Sequence, residues 1–491
     1  MKLARAMTID RWIVDAAAQS PDKIALIFGD ETIDYKTMAS RIDAKTRQLV
    51  NAGIRCGDRV AWYGLNHPEV FILLFACARI GAIFVPLNWR LAIPEIAAIV
   101  ADCSPKILIY TDEFASQVRA IKGPAAVKLG GEYPAREDPE TPNTKNEVLE
   151  DEAILIVYTS GSTGVPKGVV LTQKAITCNA SMSIDAHQMS SEDIVFNSLP
   201  LFHVGGLNIL PTPAFSLGAT VLLHEKFEPD AACMALQQAT LAITVPTVLQ
   251  AIMNTDCWVS ADFSKLRGIS IGSTDVPLAM IDAVHGRGIP MIQVYGATET
   301  SPFAIYQTLD EAFASAGSIG RAGRSCEIRL VSDGRDVPLG EAGEIWVKGD
   351  NVLREYWHNE ELTQAQLLDG WWRSGDVATL DEDGYYWFTD RIKNMIISGG
   401  ENIYPTEIER ILRDIPGIKE VVVVGRPHET WGEVPVAVLV ADIPMTNQDV
   451  LGSLQGKLAR FKHPKDVVFV EALPRNATGK IVTSEVRKII N

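Results

Sequence analysis

The sequence contains no apolar run long enough to cross a bilayer. Its most apolar stretch, residues 70–78, stops at Arg79, where a spanning helix needs about 20 residues. No secretory leader is expected either, because the basic start Met1-Lys2-Leu3-Ala4-Arg5 runs into Asp10, Arg11 and Asp15 rather than an apolar core. The expectation is a cytoplasmic protein with no membrane span. Clusters of basic side chains are also absent. Lys and Arg number 45 against 61 Asp and Glu, a formal charge of −16, and nucleic-acid binding rests on counterion release by grouped cations. No DNA or RNA partner is expected, although a local basic site for a small anion is compatible with an acidic surface. Cysteine is sparse, with seven residues and no C-x-x-C pair. Cys56, Cys77, Cys103, Cys178, Cys233, Cys257 and Cys326 are expected as buried thiols in a reducing compartment, without a zinc framework. No short repeat or low-complexity segment is visible.

What is there is a globular composition, 47% apolar and 22% charged, over 491 residues. That length predicts two or three domains. Strand and helix signals alternate. Residues 24–28 read as a strand, Gly29-Asp30 as a hairpin turn, residues 37–52 as a helix stopped by Gly53, residues 59–64 as a strand and residues 68–80 as a buried helix. Residues 107–110, 154–158 and 220–223 are short β-branched runs, which between helices predict α/β layers. From about residue 325 the segments 328–331, 344–348 and 385–389 read as strands joined by Gly/Asp turns, a β-rich subdomain reaching residue 391. The pattern then restarts. Pro405 opens a helix with Ile408, Ile411, Leu412 and Ile415 on one face, and residues 421–424 and 434–440 follow as strands. The expected division is a domain of residues 1–391 and a smaller one of residues 392–491.

The richest segment is Tyr158-Thr159-Ser160-Gly161-Ser162-Thr163-Gly164-Val165-Pro166-Lys167-Gly168. Its glycines let backbone approach an anion, its hydroxyls donate, and Lys167 brings charge, as a triphosphate cradle requires. It is not a Walker A loop: no G-K-[S/T] follows, and residues 169–171 read as a strand.

This segment resembles the phosphate-binding signature of the adenylate-forming superfamily, which includes acyl- and aryl-CoA synthetases, luciferases and peptide-synthetase adenylation domains. Further matches follow in order along essentially the whole chain. They are Tyr295-Gly296-Ala297-Thr298-Glu299-Thr300, Ser374-Gly375-Asp376, Asp390-Arg391-Ile392-Lys393 with residues 398–405, and Leu473-Pro474-Arg475-Asn476-Ala477-Thr478-Gly479-Lys480. The resemblance implies a large N-terminal domain of layered α/β sheets with a β-rich subdomain, plus a small mobile C-terminal α/β domain. It implies an acid–thiol ligase using ATP, Mg²⁺ and coenzyme A, acting as a monomer or homodimer.

By the same resemblance, Thr159 to Gly164 and Lys167 take the phosphates. Thr298 meets the α-phosphate, Glu299 holds Mg²⁺, and Tyr295, Gly296 and Ala297 with Gly272, Ser273 and Thr274 border the adenine. Asp376 and Arg391 hold the ribose side. Lys480 is the catalytic lysine. A positioned ammonium near both the attacking carboxylate and the phosphate speeds such a step about 100- to 1000-fold. Lys393 matches the hinge, and Ser398, Gly399 and Gly400 the coenzyme A channel. His203, Val204, Gly205, Gly206, Ser301 and Phe303 match the acyl pocket. Many relatives carry Gly-Gly-Ala where this chain has Gly272-Ser273-Thr274. No fixed cation stands among the pocket positions, so a second substrate carboxylate is not expected. The chain is most similar to bacterial medium-chain fatty-acid and feruloyl- or coumaroyl-type synthetases. Transfer to a carrier-protein thiol, or o-succinylbenzoate as the acid, are the alternatives.

Overall fold

The structure is a computed structural model that describes residues 8–134, 149–159, 166–273, 276–398, 401–429, 431–455, 457–458, 460–475 and 481–490. The chain forms two compact units, Met1–Ile328 with Val347–Trp372, and Arg329–Trp346 with Arg373–Asn491.

The first unit holds two sheets. The nine-stranded sheet is parallel from Met291–Tyr295 through Gly268–Gly272, Leu241–Thr244, Ile194–Asn197 and Thr220–Leu223 to Ile24–Phe28, with antiparallel strands at both edges. A parallel sheet is stable when helices cover both faces, which is why its strands are mostly apolar. One covered face is visible in the packing of Phe196, Ile269 and Ile271 against Leu236, Leu249, Ile252 and Ile281. The seven-stranded sheet begins with three antiparallel strands, Glu355–Tyr356, Lys167–Thr172 and Ala153–Thr159, and continues in parallel through Ile83–Pro86, Arg59–Tyr63, Ile107–Tyr110 and Ala125–Lys128.

The helix Tyr35–Asn51 starts two residues before its expected position, because the Asp34 side chain accepts from Thr37 N at 2.6 Å and caps it. The helix Pro68–Ile80 is buried on all sides and ends at Gly81, whose φ of 78° a side chain would resist.

The second unit contains a five-stranded sheet whose long hairpin, Ile418–His428 with Gly432–Ala441, alternates its faces by residue. Val421, Val423, Ala437 and Leu439 pack on Ile408 and Leu412 of the helix Pro405–Arg413. Val422, Val424, Val436 and Val438 pack on Val486 and Ile490 of the helix Thr483–Ile490.

One expectation fails. Cys233 and Cys257 are not separate thiols but a disulfide, with Cα atoms 6.2 Å apart. The helices Pro229–Leu236 and Asp256–Ser260 bring together two positions 24 residues apart, a pairing that no local spacing announces. Cys77 and Cys103 are buried thiols, and Cys56, Cys178 and Cys326 are half-buried thiols.

Candidate active site

In the first unit, the strands Ala153–Thr159 and Lys167–Thr172 pair in antiparallel register with Thr159 opposite Lys167. The two ends of the Gly/Ser segment are thereby held face to face. The base of this hairpin is closely built. The Tyr158 hydroxyl donates to Asp102, and Trp357 N donates to Gly168 O at 2.7 Å. A Cβ on Gly168 would stand 3.0 Å from both Ile156 and Trp357, so glycine suits the crowding.

A second segment descends from the strand Met291–Tyr295 into Gly296, Ala297 and the 3₁₀ turn Thr298–Thr300. Gly296 is required, because a Cβ there would lie 1.6 Å from Pro302 O. The buried Thr300 hydroxyl accepts from Ala297 N at 3.0 Å and donates to Pro302 O at 2.8 Å. Phe303 N donates to Asn179 at 3.0 Å, and Asn351 donates to Phe303 O at 2.6 Å. Tyr295, Ala297, Thr298 and Glu299 are half-buried on this scaffold. Glu299 O accepts from Leu353 N at 2.7 Å, and its carboxylate accepts from the Tyr356 hydroxyl at 2.9 Å.

Two of the expected pocket residues have a supporting place instead. Ser301 and Phe303 are both 0% exposed, and the Ser301 hydroxyl donates to Asn351 O at 2.8 Å. Asn208 ties this turn to the short helix Val204–Asn208 by donating to Ser301 O at 3.2 Å. His203 sits just before that helix, exposed, with its ring 4.5 Å from that of Phe202. Gly206 packs so tightly that a Cβ would lie 2.4 Å from Pro200 O. Gly272 is crowded too, by Val294 O at 2.4 Å from a Cβ, and Ser273 beyond it is exposed at φ 76°, a conformation that suits glycine better than serine.

Behind this region lies a buried polar group that the sequence reading did not isolate. His187 Nδ1 faces Ser183 O at 2.7 Å and must donate to it, so Nε2 accepts from the Ser270 hydroxyl. Burial brings the His187 pKa down to about 4.

In the second unit, Asp376 and Arg391 are cross-strand partners in a hairpin, and Arg391 Nε meets the Asp376 carboxylate at 3.0 Å. Asp376 is buried while Arg391 is exposed. The neighbouring Asp390 is 1% exposed and receives hydrogen bonds from Arg391 N, Asn394 Nδ2, and Thr406 N and Oγ1. It therefore clasps the turn Ile392–Asn394 to the start of the helix Pro405–Arg413. Lys393 is exposed in that turn, and Ser398 lies in the strand Ile396–Ser398. Ser160, Gly161, Ser162, Thr163, Gly164, Thr274, Gly399, Gly400 and Lys480 lie outside the described residues.

Among the described residues no group of three or more His, Cys, Asp or Glu side chains could hold a metal alone. Mg²⁺ keeps several waters and takes one or two carboxylates together with substrate phosphates, and Glu299, hydrogen-bonded by Tyr356, presents one carboxylate on this turn. Asp390, Asn351, Tyr356 and Trp372 enter through contacts with partners distant in sequence, and only Asp390 lay within a quoted motif.

Residues 13–357 match the family model described as AMP-binding enzyme, and residues 407–480 match the AMP-binding enzyme C-terminal domain. Indoleacetate–CoA ligase of Aromatoleum aromaticum is 43% identical over 99% of this chain and 98% of its own length. Feruloyl-CoA synthase of an Amycolatopsis species is 40% identical over 99% of both chains. The structure of o-succinylbenzoate coenzyme A synthetase from Bacillus subtilis, in complex with ATP and magnesium ion, superposes with a TM-score of 0.87 at 29% identity, covering 97% of this chain and 99% of that one. The chain belongs to the AMP-binding enzyme family and is an AMP-forming acid–CoA ligase that uses ATP, Mg²⁺ and coenzyme A.

Proposed function

We propose that the acid is aromatic, of the arylacetate or hydroxycinnamate type. The observation that carries this reading is that relatives named for indoleacetate and ferulate match at 43% and 40% identity over 99% of the chain. The apolar character of the segment around Phe202 and Val204, both buried, supports it.

In the proposed mechanism a carboxylate oxygen of the acid attacks the α-phosphorus of ATP, and the bond to pyrophosphate breaks. Lys480 stabilises charge on both partners, and Thr298 donates to the α-phosphate. Glu299 would hold Mg²⁺, which when bound would supply neutralisation of phosphate charge. Tyr295 to Ala297 and the segment 272–274 border the adenine, and Thr159 to Gly164 with Lys167 cradle the phosphates. Asp376 accepts from the ribose hydroxyls with Arg391 beside it. The second domain then turns about Lys393, withdrawing Lys480. The coenzyme A thiolate, entering past residues 398–400, attacks the acyl carbonyl and AMP leaves. His203 gates the acyl pocket, with Val204, Gly205 and Gly206 along its wall and Ser301 and Phe303 beneath it. The proposal includes a monomer or homodimer in the cytoplasm, where ATP and coenzyme A are both at hand.

The test is pyrophosphate and AMP production with ATP, Mg²⁺ and coenzyme A across indoleacetate, ferulate, 4-coumarate, benzoate, octanoate, palmitate and o-succinylbenzoate. Turnover should be highest with the indole or cinnamate acids and fall about 100- to 1000-fold in Lys480→Ala. Preference for octanoate or o-succinylbenzoate would refute the aromatic assignment.

A further inference from the structure

Five parallel strands of the nine-stranded sheet follow one another in the chain: Ile194–Asn197, Thr220–Leu223, Leu241–Thr244, Gly268–Gly272 and Met291–Tyr295. In the sheet they stand in the order second, first, third, fourth, fifth. The chain therefore leaves the first strand toward one side and returns to place the third on the other. Connections diverge at such a point. They leave a crevice at the carboxyl ends of the two strands, the usual place for a ligand in an open α/β sheet.

A cavity lies at that point. It is lined by Phe196 and Ser198 at the first strand, Ala242 and Thr244 of the third, and Leu249 and Ile252 of the helix Pro246–Met253. Its volume is about 10 Å³, the space of one water-sized group, so a hydroxyl enters it and a ring does not. Ser198 is 3% exposed, and its hydroxyl has no hydrogen-bond partner among the described residues. The polar side chains beside it are engaged. The Thr244 hydroxyl donates to Val245 O at 3.3 Å, and the Asn197 amide accepts from Leu199 N and donates to Leu199 O. A buried hydroxyl without a partner is costly, and a ligand atom that pairs with it removes that cost.

The strand ends give the direction of approach. Along the carboxyl edge, Val294 stands beside Gly272, Ile271 beside Thr244, and Ile243 beside Asn197. The proposed function sets the adenine at the ends of the fifth and fourth strands. From Gly272 to Asn197 is two strand spacings, about 10 Å, the reach of a hydroxycinnamate or an indoleacetate from carboxylate to far ring edge. Ser198 also begins the segment that leads through Pro200 to His203 and the helix Val204–Asn208.

We propose that Ser198 is a specificity-determining residue that reads a hydrogen-bonding group on the far edge of the aromatic acid, a ring hydroxyl or an indole N–H. The ring lies across the carboxyl ends of Leu241–Thr244 and Ile194–Asn197, and its polar atom meets the Ser198 oxygen at the cavity. A fully apolar acid leaves that hydroxyl unpaired, and a site built in this way rejects it. This inference rests on the aromatic acid and the adenine placement of the proposed function.

The experiment compares kcat/KM for thioester formation in two matched pairs, 4-coumarate against cinnamate and indole-3-acetate against benzothiophene-3-acetate, with octanoate alongside. Each pair differs in one polar group. The wild type should prefer the polar member of at least one pair by about tenfold, the upper end for one neutral hydrogen bond. In Ser198→Ala that ratio should fall to about one. Ratios near one for both pairs in the wild type would overturn the proposal, and that outcome needs no variant. So would a tenfold ratio kept in Ser198→Ala with both members of the pair slowed equally, which marks a merely structural role. Octanoate outpacing all the aromatic acids would instead refute the aromatic assignment, and the role of Ser198 with it.

Discussion

Glu299 stands on a turn whose main chain is hydrogen-bonded to Asn179, Asn208, Asn351 and Leu353, all from other segments, and whose glycine admits no Cβ. Asp376 and Arg391 stand on a hairpin, where a buried carboxylate meets an arginine with 47% of its side chain exposed. The first arrangement resists displacement because moving any one residue breaks several buried hydrogen bonds. The second is a cross-strand pair near solvent, and such pairs add little stability. Under the proposed function, the difference would leave the turn that carries Glu299 fixed, and let the hairpin of Asp376 and Arg391 with the adjoining turn Ile392–Asn394 change partners during the cycle.

The comparison sharpens most at Gly296. Gly296→Ala places a methyl 1.6 Å from Pro302 O, and the backbone has to move. The expected cost is about 3 kcal/mol of stability, the upper end of overpacking effects, with adenylation lost alongside. Thermal unfolding with a pyrophosphate-exchange assay checks this, and a stable, active variant would show that the turn is less constrained than its contacts indicate.

The packing behind the same region gives a pH signature. His187 titrates near 4 in the folded chain, against about 6.5 when unfolded. Below pH 6.5 the unfolded chain takes up a proton that the folded chain refuses, so stability falls as pH drops from 6.5 to 4. The loss attributable to this residue is at most about 3 kcal/mol. Denaturant unfolding of wild type and His187→Gln across that window should give a shallower slope for the variant. Parallel slopes would move the effect elsewhere.

The smallest effect is expected on the hairpin. Asp376→Asn keeps the shape and removes the charge facing Arg391. Stability should change by less than about 1 kcal/mol because the arginine is well solvated. The KM for ATP should rise about tenfold through the weaker ribose acceptor. A large loss of stability would mean that this hairpin is as rigid as the turn.

Where a segment's own residues carry the signal, the sequence was legible to the residue. The strands Ile24–Phe28, Ile107–Tyr110 and Thr220–Leu223 and the helix Pro68–Ile80 have the bounds that apolar runs and turn residues predict. The helix Tyr35–Asn51 was misplaced at its start because the Asp34 cap went unread. The segment 295–300 was legible as a glycine-containing turn, but not which of its side chains are buried. Ser301 and Phe303 look like pocket residues by position, and the left-handed backbone at Ser301, φ 75°, turns their side chains into the support of the turn. Tyr356 and Trp372 carry no local signal at all, since their partner Glu299 lies 57 residues before Tyr356. The Cys233–Cys257 pairing is of the same kind, decided by how two helices pack.

The most direct measurement separates the two half-reactions in Lys393→Pro. Acid-dependent pyrophosphate exchange reports the fixed side, and thioester formation reports the step that needs the turn Ile392–Asn394 to change. The expected result is exchange within about threefold of wild type and thioester formation reduced more than about 100-fold, as for a misplaced reactant. Undiminished thioester formation, or an equal loss in both half-reactions, would contradict the division between a fixed and a moving side.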